Sequence, residues 1–91
     1  MPTVYIPALL QGLTEGQGTV EVEGATVREV LDNLEKACPG IRSRLLEQDR
    51  LRPNICVAVD GSISRLGLRA PVSPSSEVHF ITAVSGGAGS V

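Results

Sequence analysis

The chain carries little with which to do chemistry by itself. Among its 91 residues are one histidine, two cysteines, one tyrosine, one phenylalanine, no tryptophan and a single lysine, Lys36. A self-contained active site needs a convergent acid, base, nucleophile or metal cluster, and this inventory holds almost no candidates for one. Cys38 and Cys56 are too few for a disulfide framework and lack the paired spacing of a zinc site, so a reducing compartment is the simplest setting. An excess of positive charge is also missing. Eight basic residues against ten acidic ones leave a net charge of −2, which excludes affinity built on neutralising phosphates, and no nucleic-acid partner is expected. No apolar run approaches the length of a membrane span. The first fourteen residues are uncharged, but they lack a basic leader and are broken by Pro2, Pro7 and Gly12, unlike a signal peptide. The expectation is a cytoplasmic protein with no membrane partner.

What is present is aliphatic: 42% of the residues are hydrophobic, enough for one small domain with a single core. Thr3 to Pro7 alternates Val4 and Ile6 against Thr3 and Tyr5 and reads as a strand lying inside a sheet, ended by Pro7. A loop containing Gly12, Gly16 and Gly18 follows. Thr19 to Glu23 then alternates with Val20 and Val22 inward and two carboxylates outward. The period next changes to that of a helix: Val27, Val30, Leu31, Leu34 and Cys38 form one apolar stripe, Thr26 and Glu29 have capping-box spacing, and Pro39-Gly40 ends the element. Ile41 to Leu46 suits another short helical turn, and Glu47 to Pro53 reads as a charged connector.

In Asn54 to Val59, Ile55, Val57 and Val59 alternate against Cys56 and Ala58. The segment closes on Asp60-Gly61, a strong hairpin signal. Ile63 to Leu68 is a weak return strand, Pro71 to Ser76 a loop, and Glu77 to Ala83 the last strand. The order strand, strand, helix, strand, weak strand, strand predicts a two-layer α+β fold of the β-grasp (ubiquitin-like) type, a four- to five-stranded mixed sheet with one main helix on one face. The domain is expected over 1–83 and a flexible Gly/Ser-rich tail over 84–91.

Most constellations read as structural. His79 sits at an outward strand position without a metal-spaced partner, both cysteines suit small buried hydrophobes, and Arg42, Arg44, Arg50 and Arg52 are interleaved with Glu47 and Asp49 as a solvated face. No metal or bound cofactor is expected. Ser85 to Val91 has the glycines of a phosphate loop but no following helix to aim at a phosphate. In the last strand Phe80 alternates with its neighbours, so one of Phe80 or Ile81 faces away from the helix and offers a docking surface.

The element order, with Glu77-Val78-His79-Phe80-Ile81-Thr82-Ala83-Val84-Ser85-Gly86-Gly87, resembles the MoaD/ThiS family of ubiquitin-like sulfur carriers. Gly24 to Leu31 and Arg52 to Gly61 add to the likeness, which runs from Val4 to Gly87. The resemblance implies a protein co-substrate rather than an enzyme. Its C-terminal glycine carboxylate is adenylated by an E1-like enzyme using ATP, and a sulfur donor converts the acyl-adenylate to a thiocarboxylate for an acceptor synthase. Gly87 would be the reactive residue and Gly86 its slender neighbour, with Val84 and Ser85 in the segment a partner grips. Two glycines suit threading into a narrow channel because neither offers a side chain.

Ala88-Gly89-Ser90-Val91 follows Gly87, as in the subset of the family processed by a JAMM-type metalloprotease, and the likeness implies removal of these four residues. The product served is of the molybdopterin, thiamine or cysteine type. Two alternatives stand beside this reading: a ubiquitin-like modifier joined to lysines through Gly87, and an unprocessed binding module.

Overall fold

Val4 and Val78 have no exposed surface and stand side by side on neighbouring parallel strands. In the computed structural model, which describes residues 1–82, they lie at the centre of a five-stranded sheet. Its strands are β1 (Thr3–Tyr5), β2 (Thr19–Glu21), β5 (Ile55–Val59), β6 (Ser62–Ile63) and β7 (Glu77–Thr82), in the order β2-β1-β7-β5-β6. β1 and β7 are parallel and every other pair is antiparallel. This is the expected mixed sheet, with β1 inside it. The predicted tail, and Ala83 at the end of the predicted domain, lie outside the described residues.

One helix, α1 (Val27–Ala37), covers one face of the sheet. Val27, Val30, Leu31 and Leu34 are each 0% exposed and meet Val4, Val57, Val78 and Phe80 from the sheet. The predicted cap forms with a shift of one residue on its return side: the Glu29 amide donates to Thr26 Oγ1 at 3.3 Å, while the Glu29 carboxylate accepts from the Ala25 amide, not that of Thr26, at 2.9 Å. The second short helix is α2 (Ile41–Leu45), whose Ile41 and Leu45 extend the core. Glu35 ties the two helices together by accepting from the amides of Gly40 at 3.0 Å and Arg42 at 2.9 Å.

Three local readings change. Residues between the first two strands form a 3-10 helix, Ala8–Thr14, in place of an open loop. It is held by the buried Thr14 hydroxyl, which lies within hydrogen-bond distance of the carbonyls of Gln11 and Gln17. The charged connector contains a small hairpin, β3 (Leu46–Glu47) and β4 (Arg50–Leu51), turning on Gln48 and Asp49, both at positive φ. The return strand is only β6, and its continuation becomes a 3-10 turn, Gly67–Arg69, that packs on α1.

Two contacts fix the ends of the sheet. Asp60 and Gly61 both have positive φ, as the tight hairpin turn requires. The Asp60 carboxylate accepts from Ser76 Oγ and the Glu77 amide, each at 2.9 Å, and so ties that turn to the start of β7. Gly24, at φ +157°, passes so close to α1 that an added Cβ would lie 2.6 Å from the Val30 nitrogen.

Candidate functional site: the outer face of the last strand

β7 is the last strand among the described residues. It is flanked by β1 and β5, but β1 pairs with it only as far as His79, while β5 follows it to Thr82. Its last residues therefore pass the end of β1 with a strand on one side only.

Strand parity divides β7 between two environments. Val78 and Phe80 point into the core at 0% and 4% exposure, whereas Ile81 is 43% exposed on the face turned away from α1. Phe80 is thus corrected as a docking residue. The aliphatic side of α1 covers its ring, and a partner resting on the sheet would meet Ile81.

The outer face has further members that sequence reasoning did not assemble. Cys56 stands opposite Ile81 across the β5/β7 ladder and is exposed, contrary to the reading of both cysteines as buried; Cys38 alone is buried. The alternation of Ile55 and Val57 inward already carried that signal, since it leaves Cys56 outward. Ile63 on β6 is 65% exposed. Ala58 lies between Ile63 and His79 in register and is buried.

His79 occupies the outward position expected of it. Its ring stacks on Tyr5, with centroids 4.0 Å apart and planes 6° from parallel, and its Nε2 lies 3.8 Å from Glu77 Oε1. The face is therefore a mixed aliphatic and aromatic patch containing Ile81, Cys56, Ile63, Tyr5 and His79, a composition suited to protein contact.

The groups that could do chemistry are not gathered there. Among the described residues no three His, Cys, Asp or Glu side chains are grouped to hold a metal ion. Burial pushes the Cys38 thiol above its ordinary range, with the carboxylates of Glu15 and Glu35 adding to the shift, so Cys38 is a poor nucleophile. Among the described residues no helix is long and apolar enough to cross a membrane. Val84, Ser85, Gly86 and Gly87, the residues on which the sequence reading centres, lie outside the described residues.

Known proteins share both sequence and fold with this chain. The sulfur carrier protein CysO of Mycobacterium tuberculosis is 31% identical over 90 residues, covering 93% of this chain and 97% of that protein. A chain in the crystal structure of the Amycolatopsis orientalis BexX/CysO complex superposes with a TM-score of 0.90 at 36% identity, covering 94% of this chain and 99% of its own length. Small archaeal modifier protein 1 of Haloferax volcanii gives a TM-score of 0.69 at 29% identity, with 91% of this chain and 97% of that one covered. The ThiS family pattern matches residues 4–87, from the first strand through the second glycine of the Gly86-Gly87 pair. By that match, which takes in nearly the whole sequence, the chain belongs to the ThiS family.

Proposed function

We propose that this protein is a sulfur carrier that acts as a co-substrate of partner enzymes, with the carboxylate of Gly87 as its reactive group. The observation that carries the reading is the family match, which spans the β-grasp domain and runs through Gly86-Gly87. Likeness to proteins named sulfur carriers supports it, as does the position of β7 at the centre of the sheet and just before those glycines in the sequence.

In this reading, cleavage of the Gly87–Ala88 bond by a JAMM-type metalloprotease frees the carboxylate. That carboxylate attacks the α-phosphate of ATP in an E1-like adenylating enzyme, and pyrophosphate leaves. A sulfur donor then displaces AMP to give the thiocarboxylate, which an acceptor synthase uses in cytoplasmic biosynthesis of the cysteine type. The chain itself binds no cofactor: ATP belongs to the partner. The domain supplies the outer face of β7 for docking, and Val84, Ser85 and Gly86 supply a thin connection that fits a narrow channel.

The test is intact mass spectrometry of the chain ending at Gly87 after incubation with an adenylating partner, ATP and a sulfide source. Exchange of one oxygen for sulfur is expected. An unchanged mass with a partner that forms the adenylate on another ThiS-family carrier would overturn the reading. A second reading, attachment to other proteins through Gly87, is favoured by the likeness to an archaeal modifier protein. It predicts adducts in cell extracts that survive reducing agent, whereas a dedicated carrier yields none.

A further inference from the structure

A groove of about 310 Å³ lies where α1, β4 and the Gly67–Arg69 turn meet, on the helix side of the sheet and away from Ile81. Arg28, Arg50 and Arg69 line it, each contributed by a different element and each exposed. Leu51, Leu66 and Leu68 supply its apolar surface, and Leu66 is 51% exposed.

Two nearby arginines are already engaged. Arg42 bridges Asp32 at 3.2 Å and Asp49 at 3.0 Å, and Arg52 reaches the Ser43 carbonyl at 2.9 Å. Among the described residues, Arg28, Arg50 and Arg69 make neither an ion pair nor a side-chain hydrogen bond. The one carboxylate on the rim, Asp49, is engaged by Arg42. In a protein of net charge −2, folding thus gathers three unpaired guanidinium groups around exposed leucine. Three like charges lining one groove repel one another, and a bound anion relieves that repulsion.

We propose that this groove binds an acidic segment of a partner protein, one in which Asp or Glu residues flank a large aliphatic or aromatic side chain. The guanidinium groups fit carboxylates, and the leucines fit the apolar side chain between them. A peptide suits the site better than a small anion because the wall of Leu51, Leu66 and Leu68 would be left wet by a bare anion. Because the groove and the outer face of β7 lie on opposite sides of the sheet, the carrier can be held at the groove while its terminal segment is used elsewhere.

The test uses the full chain with a labelled Glu-Asp-Leu-Phe-Glu-Asp peptide, read by fluorescence anisotropy and by amide chemical-shift mapping. Binding is expected to weaken with added salt, and to weaken about tenfold in the Arg28→Gln/Arg50→Gln/Arg69→Gln variant. Arg44→Gln, a charge change outside the groove, is expected to leave it unaltered. Shifts are expected at residues of the groove in the unmodified protein, a readout that needs no variant to fold. Equal binding of Gln-Asn-Leu-Phe-Gln-Asn would overturn the proposal, as would shifts confined to the outer face of β7. Displacement of the peptide by inorganic phosphate at equal concentration would replace it with a simple anion site.

Discussion

Cys56 and Ile81 face each other across the β5/β7 ladder, and both are exposed on the side of the sheet opposite α1. A thiol therefore sits within the face proposed for docking. Cys38, the other thiol, is buried and its pKa is raised. Alkylation followed by peptide mass mapping is expected to label Cys56 readily and Cys38 only on unfolding. Binding of an adenylating partner to the outer face is expected to slow labelling of Cys56. Unchanged labelling in a saturated complex would move the docking surface elsewhere.

Ile81→Asp and Phe80→Ala separate surface from core on the same strand. Ile81 is exposed, so its substitution is expected to alter stability by less than about 1 kcal/mol while weakening partner affinity about tenfold or more. Phe80 is buried against α1, and removing its ring is expected to cost about 3–5 kcal/mol in denaturant unfolding. The paired measurement is calorimetric titration of the partner against each folded variant. If Phe80→Ala proved neutral in stability, the placement of its ring would be wrong.

Gly24 is required by space as well as by conformation. Its positive φ disfavours any other residue, and an added Cβ would meet both the backbone nitrogen and Cγ2 of Val30, the latter at 2.7 Å. Gly24→Ala is expected to destabilise the fold by about 1–3 kcal/mol, read as a lowered midpoint in urea with an unchanged slope. Gly12, with open space around the position of its Cβ, is the comparison site: Gly12→Ala is expected to be near neutral or slightly stabilising.

Glu35 makes stability depend on acid. Its carboxyl is held below the usual carboxylate range by the amides of Gly40 and then Arg42, with the Arg42 charge a smaller cause and desolvation opposing them. A carboxyl with a depressed folded-state pKa stabilises the protein above its unfolded-state value, and that stabilisation disappears as pH falls through the folded-state value. Thermal melts of Glu35→Gln are expected to fall below the parent at neutral pH and to converge on it in acid. Parallel curves across that range would show that the carboxylate charge does not contribute.

Much of this was legible because local chemistry and the fold agree. Thr26 and Glu29 announced the start of α1, the spacing of Val27, Val30, Leu31 and Leu34 announced its buried side, and Asp60-Gly61 announced a hairpin. The β3/β4 hairpin was hidden because Gln48 and Asp49 adopt positive φ without the Asn-Gly or Asp-Gly pair that marks such turns. The 3-10 helix at Ala8–Thr14 was hidden because Gly12, with Gly16 and Gly18 just beyond, suggested a loop, and its stabilising contacts are made by a buried threonine hydroxyl.

By itself the sequence determined the order of the main strands and helices, the aliphatic core and the family to which residues 4–87 belong, because periodicity and turn chemistry act over a few neighbouring positions. Tertiary structure alone decided which of Phe80 and Ile81 is exposed, since an apolar strand reads alike from both sides until a helix covers one of them. It also decided that Cys56 joins Ile81, that Tyr5 stacks on His79, and that Arg28, Arg50 and Arg69 share one groove. Those relationships connect residues far apart along the chain, and only strand pairing and packing bring them within reach of one another.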